Sequence, residues 1–298
     1  ILRTEVDLLW FGGIGTYVRS SQETDADVGD RANDAIRVSA DTLRAKVVGE
    51  GANLGVTQRA RVEFALAGGR INTDAIDNSA GVNSSDLEVN IKIALQPLVA
   101  SGILDPDGRN DLLARMTDEV AALCLQNNYL QTLALSQAER TGAAELPDHR
   151  ELMEALVARG ELDRSVEFLP TDAVLDARAV SGRGFTRPEL AVLMAYAKLT
   201  LYEDLLDSPL IEDAALAGEL FRYFPETLHH EYAAAIEGHR LRREVIATVL
   251  ANAMINRGGP AFVTELTAAT SAGPGETALA YVAAREVFGL EALHAQID

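Results

Sequence analysis

Only one cysteine, Cys124, stands in 298 residues, so no internal disulfide is available and the fold asks for no oxidising compartment. It lies in the apolar run Ala121-Ala122-Leu123-Cys124-Leu125, where a thiol is expected as a small buried hydrophobe rather than a nucleophile. Cations are scarce too: 26 Lys and Arg face 45 Asp and Glu, a formal net charge of −19. A surface this acidic repels phosphate backbones and anionic lipid, which argues against generic nucleic-acid binding. No apolar run approaches the roughly 18–20 residues of a membrane span, and no signal peptide is visible. A soluble, cytoplasmic protein with neither nucleic acid nor membrane as partner is expected. The chain opens Ile1-Leu2-Arg3 without a methionine, which reads as a processed product or a piece of something longer.

What is present is ordinary globular material, 48% hydrophobic and 24% charged, with a length that favours two domains. The chain changes character near residue 100. Before it, strand candidates at Val6–Phe11, Arg44–Gly49 and Arg70–Thr73 alternate with helical stretches at Arg31–Val38 and Thr57–Ala67. Strands separated by short helices imply βαβ units and a parallel sheet. From about Ser85 onward the pattern is helical: Leu87, Ile91, Leu95 and Leu98 share one face. Helices are expected over Arg109–Arg140, Pro147–Arg159, from the capping box Thr186-Arg187-Pro188-Glu189, and from Pro225 to Gly258. The helix after Thr186 carries apolar residues on both faces, Leu199 included, and is expected to be buried on most sides. With aromatics at only 5%, Leu, Ala and Val must make most of the helix contacts. The expected fold class is an α/β N-terminal part, an incomplete Rossmann-like parallel sheet over 1–100, followed by an all-α helical domain over 101–298, mostly α overall.

The chemistry sits in the turn after each strand. In an open parallel sheet, ligands bind outside the carboxyl ends of the strands. Gly12-Gly13-Ile14-Gly15-Thr16, Glu50-Gly51-Ala52-Asn53 and Asp77-Asn78-Ser79-Ala80-Gly81 bring glycine for close backbone approach and asparagine with one donor and one acceptor group. Each is also an ordinary turn composition; three in succession at one sheet edge point to a site. Gly12-Gly13-Ile14-Gly15 has neither the spacing of a dinucleotide fingerprint nor the Gly-Lys-Ser/Thr of a P-loop. Ser85-Asp86-Leu87-Glu88 reads as a capping box, and a helix start there would offer amides and a hydroxyl to a carboxylate.

These segments resemble the amino-acid dehydrogenase superfamily, on Val47–Asn53 with Thr57, Ile71–Val82 and Ser85–Lys92. Leu9–Val18 and Val28–Ala35 are similar to the large bacterial NAD-specific glutamate dehydrogenases in particular. So, in the helical half, are Arg187–Leu193, His239–Glu244 and Ala283–Leu290. The resemblance implies NAD as cofactor, L-glutamate and 2-oxoglutarate as substrate and product, and a homo-oligomeric full-length enzyme. By position it implies that Gly12 and Gly13 run beside the dinucleotide, that Asn53 and Asn78 lie near the nicotinamide, and that Ser85 contacts the substrate's side-chain carboxylate. The family's catalytic lysine and aspartate and its glycine-rich fingerprint have no counterpart in this sequence. No catalytic residue and no metal ligand is therefore expected in it, and it reads as the C-terminal part of a longer enzyme that is inactive alone. Ala80 stands where compact relatives carry glycine. Two other readings stay open: a non-catalytic helical regulatory or assembly module, and another NAD-linked amino-acid dehydrogenase.

His229-His230-Glu231 is expected as a surface group, since adjacent helical residues point about 100° apart and chelate poorly. His239-Arg240-Leu241-Arg242-Arg243 is expected as a solvated face paired with Glu237 and Glu244; an anionic effector or subunit contact is the alternative.

Overall fold

Leu8–Phe11 forms the first strand, β1, followed by β2 (Val18–Arg19), α1 (Asp25–Val28), β3 (Val38–Ser39), β4 (Val47–Glu50), α2 (Gln58–Leu66) and β5 (Arg70–Ile71). The computed structural model describes residues 1–297. Three strands make a parallel sheet in the order β1-β4-β5, with Trp10 opposite Gly49, Phe11 opposite Glu50 and Val48 opposite Ile71. Strands β2 and β3 form a separate two-residue parallel pair. One face of the main sheet turns Phe11, Val48 and Ile71 onto Ala60 and Phe64 of α2. Thr57 caps α2, its hydroxyl accepting from the Ala60 amide at 3.2 Å. The parallel pairing of the three strands is as expected.

The helix expected over Arg31–Val38 is absent: one 3-10 turn, Arg31–Asn33, stands in its place and Val38 joins β3. The cause is Arg37, whose side chain is fully buried. It donates to the Thr16 carbonyl at 2.9 Å and reaches Asp25 at 2.9 Å and Asp34 at 2.6 Å. These contacts bind the segment more firmly than a marginal helix of this length would hold itself.

The rest is helical: α3 (Asp74–Asp77), α4 (Ser79–Ala100), α5 (Pro106–Arg115), α6 (Thr117–Thr141), α7 (Leu146–Ala158), α8 (Asp172–Val180), α9 (Arg187–Asp207), α10 (Ala217–Tyr223), α11 (Thr227–Glu231), α12 (Ala233–Glu237), α13 (Arg242–Gly258), α14 (Phe262–Thr270), α15 (Pro274–Val287) and α16 (Leu290–Ile297). Leu87, Ile91 and Leu95 are buried along α4, and Cys124 is buried on α6. The long helix expected over Arg109–Arg140 is two, parted at Met116, where the Thr117 hydroxyl bonds back to the Ala114 carbonyl at 2.9 Å. The stretch after Pro225 is three helices rather than one. Gly238 ends α12, and the buried His239 ring accepts from the Leu241 amide at 3.1 Å before α13 begins. In α9, Leu190, Leu193, Met194, Leu201 and Leu205 are buried, whereas Leu199 is exposed. No helix among the described residues is long and apolar enough to cross a membrane.

Contacts divide the chain into two compact units, one made of Ile1–Val82 with Asn128–Tyr196, the other of Asn83–Asn127 with the residues from Ala197 onward. The first unit draws on both sides of residue 100, and the first segment of the second runs across it.

Candidate functional site

The first unit gathers polar groups at the carboxyl ends of β1, β4 and β5. Glu50, the last residue of β4, is fully buried, and both its oxygens are held by Arg61 of α2, at 2.7 and 3.0 Å. One of those oxygens also accepts from the Val56 amide at 2.9 Å. Burial raises the Glu50 carboxyl above its ordinary range, outweighing the opposing pull of Arg61. Arg61 itself is lowered by burial but more than compensated by Glu50 and Asp74, so its cation is reinforced. Its guanidinium reaches Asp74 at 3.1 Å, and Asp74 in turn accepts from the Leu54 amide at 2.8 Å. Leu54 has a left-handed backbone, φ 60°, a conformation a branched side chain adopts only when neighbours impose it. One arginine thus ties the turn after β4 to the start of α3.

Asp77 makes a second tie. One of its oxygens accepts from the Glu50 amide at 2.9 Å and the other from Asn72 at 2.6 Å. Burial raises its carboxyl as well. Asn72 accepts from the Arg187 guanidinium, which also donates to the Ser136 hydroxyl at 2.9 Å and the Thr132 carbonyl at 3.1 Å. Above this scaffold, Asn78 donates its side-chain amide to Asn53 Oδ1 at 2.5 Å. The turn after β4 and the junction of α3 with α4 therefore meet through the two asparagines singled out in the sequence. Asn78 lies between α3 and α4, so the pair adjoins the start of α4, where the Gly81 amide donates to the Asn78 carbonyl at 3.1 Å. Asn128 steadies that start, donating to the Ile76 carbonyl and to Ser79 Oγ, each at 3.0 Å.

Gly12 and Gly13 are both exposed, and a side chain on Gly13 would meet nothing within 4 Å. The next turn is fixed by Tyr17, whose hydroxyl donates to the Ile14 carbonyl at 2.9 Å and whose ring stacks on Phe11. Gly51 lies against a neighbouring side chain: a Cβ there would stand 2.5 Å from the Trp10 ring.

Ser85 is not a helix cap. Residues 79–81, expected as a turn, already belong to α4, and Ser85 lies two turns inside that helix. Nothing between Asn78 and Ser85 breaks a helix except the permissive Gly81, so the Ser-x-x-Glu spacing falls in mid-helix. Within the second unit Ser85 lines a cavity of about 450 Å³ with Ser84, Glu88, Met116 and Thr117. Also in that unit, Asp86 accepts from the Tyr223 hydroxyl at 2.5 Å and Asn90 donates to the same hydroxyl at 2.9 Å. The basic stretch is not a uniformly solvated face: His239 is buried, and Arg243 pairs with Glu212 at 3.4 Å and the Leu206 carbonyl at 2.7 Å, not with Glu237 or Glu244. His229 is half-buried with a ring nitrogen 2.9 Å from the Phe224 carbonyl, while His230 is exposed.

Composition and periodicity gave no hint of Arg61, Asp74, Asp77, Arg187 and Arg37 as supports for these turns.

Comparison with known proteins bears on the same segments. Residues 1–138 match the family described as bacterial NAD-glutamate dehydrogenase, catalytic domain, and residues 182–298 match glutamate dehydrogenase, C-terminal. The chain is 50% identical to the NAD-specific glutamate dehydrogenase of Pseudomonas aeruginosa and 48% identical to that of Halomonas elongata, in both cases over all of this chain and 18% of the relative. It is 46% identical to the NAD-specific glutamate dehydrogenase of Mycobacterium tuberculosis over 97% of this chain and 18% of that protein. The chain thus spans about a fifth of the length of these relatives.

Proposed function

Because the chain belongs to the bacterial NAD-glutamate dehydrogenase family, we propose that it is the part of an NAD-dependent glutamate dehydrogenase that forms one wall of the nicotinamide site. The parent reaction is oxidative deamination of L-glutamate to 2-oxoglutarate and ammonia. The observation that supports this reading best is the Asn78–Asn53 hydrogen bond at the carboxyl edge of the parallel sheet. Two joined carboxamides leave the Asn53 amide group and the Asn78 carbonyl available to a ligand that carries both an acceptor and a donor, as a nicotinamide carboxamide does. Gly12 and Gly13 present exposed backbone just after β1. The buried Arg61–Glu50 pair and Asp77 hold the turns in place before any ligand arrives, so little ordering entropy is lost on binding.

NAD, when bound, supplies the hydride acceptor. The residues of this chain orient its ring and exclude water; general acid–base work belongs to groups the family places elsewhere. The Gly12 and Gly13 backbone and the two asparagines fit one side of a dinucleotide, and the rest of its binding surface is assigned to the remainder of the enzyme. Ser85 is assigned to the substrate's side-chain carboxylate through its hydroxyl.

Alanine at Asn78 in the intact enzyme is the deciding experiment. Glutamate-dependent NAD reduction should fall at least tenfold through a raised KM for NAD, and Ser85→Ala should raise the KM for glutamate instead. Unchanged kinetics in both variants would support a purely structural module. The 298-residue chain alone should produce no NADH from glutamate and NAD; turnover by it would place the acid–base groups here.

A further inference from the structure

Trp10 is the sole tryptophan of the chain and sits one residue before the end of β1, 56% exposed. Its register partner is Gly49, so the indole projects from the sheet face opposite Phe11 and the α2 core. The ring does not stand upright. A Cβ on Gly49 would lie 2.5 Å from Trp10 Cε3, and one on Gly51 would lie 2.5 Å from Cζ2 and 2.8 Å from Nε1. The six-membered ring therefore lies flat across the backbone of two glycines, directed along β4 towards its carboxyl end. Any larger residue at 49 or 51 would lift it. The N–H edge is also close to Gly12, with Cδ1 and Nε1 3.8 and 3.9 Å from the position of a Cβ there. That edge is in the cleft between the turn after β1 and the turn after β4, the turn that carries Asn53.

We propose that Trp10 is a binding residue for the dinucleotide, its exposed indole face packing against the cofactor and its Nε1–H donating to a cofactor oxygen between Gly12 and Gly51. This rests on the assignment of the Asn53–Asn78 edge to NAD. Three features carry it. The ring is preorganised, because two glycines are kept bare beneath it. Its donor nitrogen stands between Gly12 and Gly51. An indole couples a large apolar face with one donor, a combination suited to a ligand with a flat ring and anionic or carbonyl oxygens.

The test uses the intact enzyme and four variants: Trp10→Ala, Trp10→Leu, Trp10→Phe and Asn78→Ala. Steady-state constants for NAD and for glutamate are measured with the thermal unfolding midpoint of each. Trp10→Ala and Trp10→Leu should raise the KM for NAD about tenfold, the loss expected for one aromatic contact and one hydrogen bond. The KM for glutamate should stay within twofold. Trp10→Phe, which keeps the face and loses the donor, should fall between these variants and the wild type. Leucine still covers Gly49 and Gly51 with carbon, so it decides the matter if alanine fails to fold. A lowered unfolding midpoint with an unchanged KM for NAD in Trp10→Leu would overturn the proposal and leave Trp10 as cover for the strand. Silent Trp10 variants beside a costly Asn78→Ala would overturn it while sparing the site. Silence in all four would overturn the site itself.

Discussion

Arg61 donates to both carboxylate oxygens of Glu50, at 2.7 and 3.0 Å, with both side chains almost wholly removed from solvent. Two ions in a low-dielectric interior lose several kcal/mol of hydration each, which their mutual attraction recovers only with good geometry. Removing one partner is therefore much worse than removing both. Arg61→Ala should destabilise the first unit by about 3–5 kcal/mol, whereas Glu50→Gln with Arg61→Met should recover most of that loss. Urea unfolding of the single and double variants measures the difference. The single variant also releases Asp74 and the strained Leu54, so the KM for NAD should rise in whatever fraction stays folded.

The second relationship is steric. Gly51 is bare because Trp10 lies on it, so Gly51→Ala must displace the indole, at a cost of about 1–3 kcal/mol for an overpacked contact. If the clash is the whole reason for glycine, alanine at 51 should be better tolerated once Trp10 is also alanine. A double-mutant cycle on thermal stability should show a coupling above about 0.5 kcal/mol. Additive effects would mean that Gly51 is kept for some reason other than the ring.

The strands at Leu8–Phe11 and Val47–Glu50 were readable because apolar runs bounded by glycine have few alternatives at that length. Asn53 and Asn78 were readable as candidates, but their hydrogen bond was not, since residues 25 apart meet only through the sheet. Arg31–Val38 misled because its spacing is helical, while the buried Arg37 is held by the distant Thr16 and Asp25 as well as by its neighbour Asp34, and the first two leave no local pattern. Ser85 misled in the opposite way. Its capping motif is a correct local signal, overridden because α4 starts six residues earlier, at Ser79. Long-range polar ties leave no periodic trace, so the support beneath the candidate site was invisible in the chain itself.

Asn53 and Asn78 touch each other, and the proposed function assigns them one ligand group, so their contributions to cofactor binding should not be independent. Asn53→Ala and Asn78→Ala should each raise the KM for NAD about tenfold, and the double variant should be far less than a hundredfold worse. Full additivity would mean that the two carboxamides act on separate parts of the ligand, or that their hydrogen bond gives way when the cofactor binds. Either result is read from the KM for NAD of the wild type and the three variants.

In the second unit, His239 is held between two backbone groups: a ring nitrogen 3.1 Å from the Asn90 carbonyl, and Nδ1 accepting from the Leu241 amide at 3.1 Å. An acceptor at Nδ1 requires the neutral ring with its proton on Nε2, so protonation must break the Leu241 contact that precedes α13. Burial already depresses the imidazole below its ordinary value, against the smaller favourable influences of the Asn90 carbonyl and Glu244. Below about pH 6.5 the unfolded chain binds a proton that the folded ring refuses. Stability is therefore fully present above that pH and declines as pH falls towards the folded-state value, by at most about 1.4 kcal/mol per unit for this one group. His149 is depressed in the same direction, by its own burial, and adds to the slope of the first unit. His239→Gln retains a donor and an acceptor without a proton to gain, so its urea-unfolding free energy should be less steep between pH 7 and pH 5 than that of the wild type. An unchanged slope would mean that His239 keeps its charge state through unfolding.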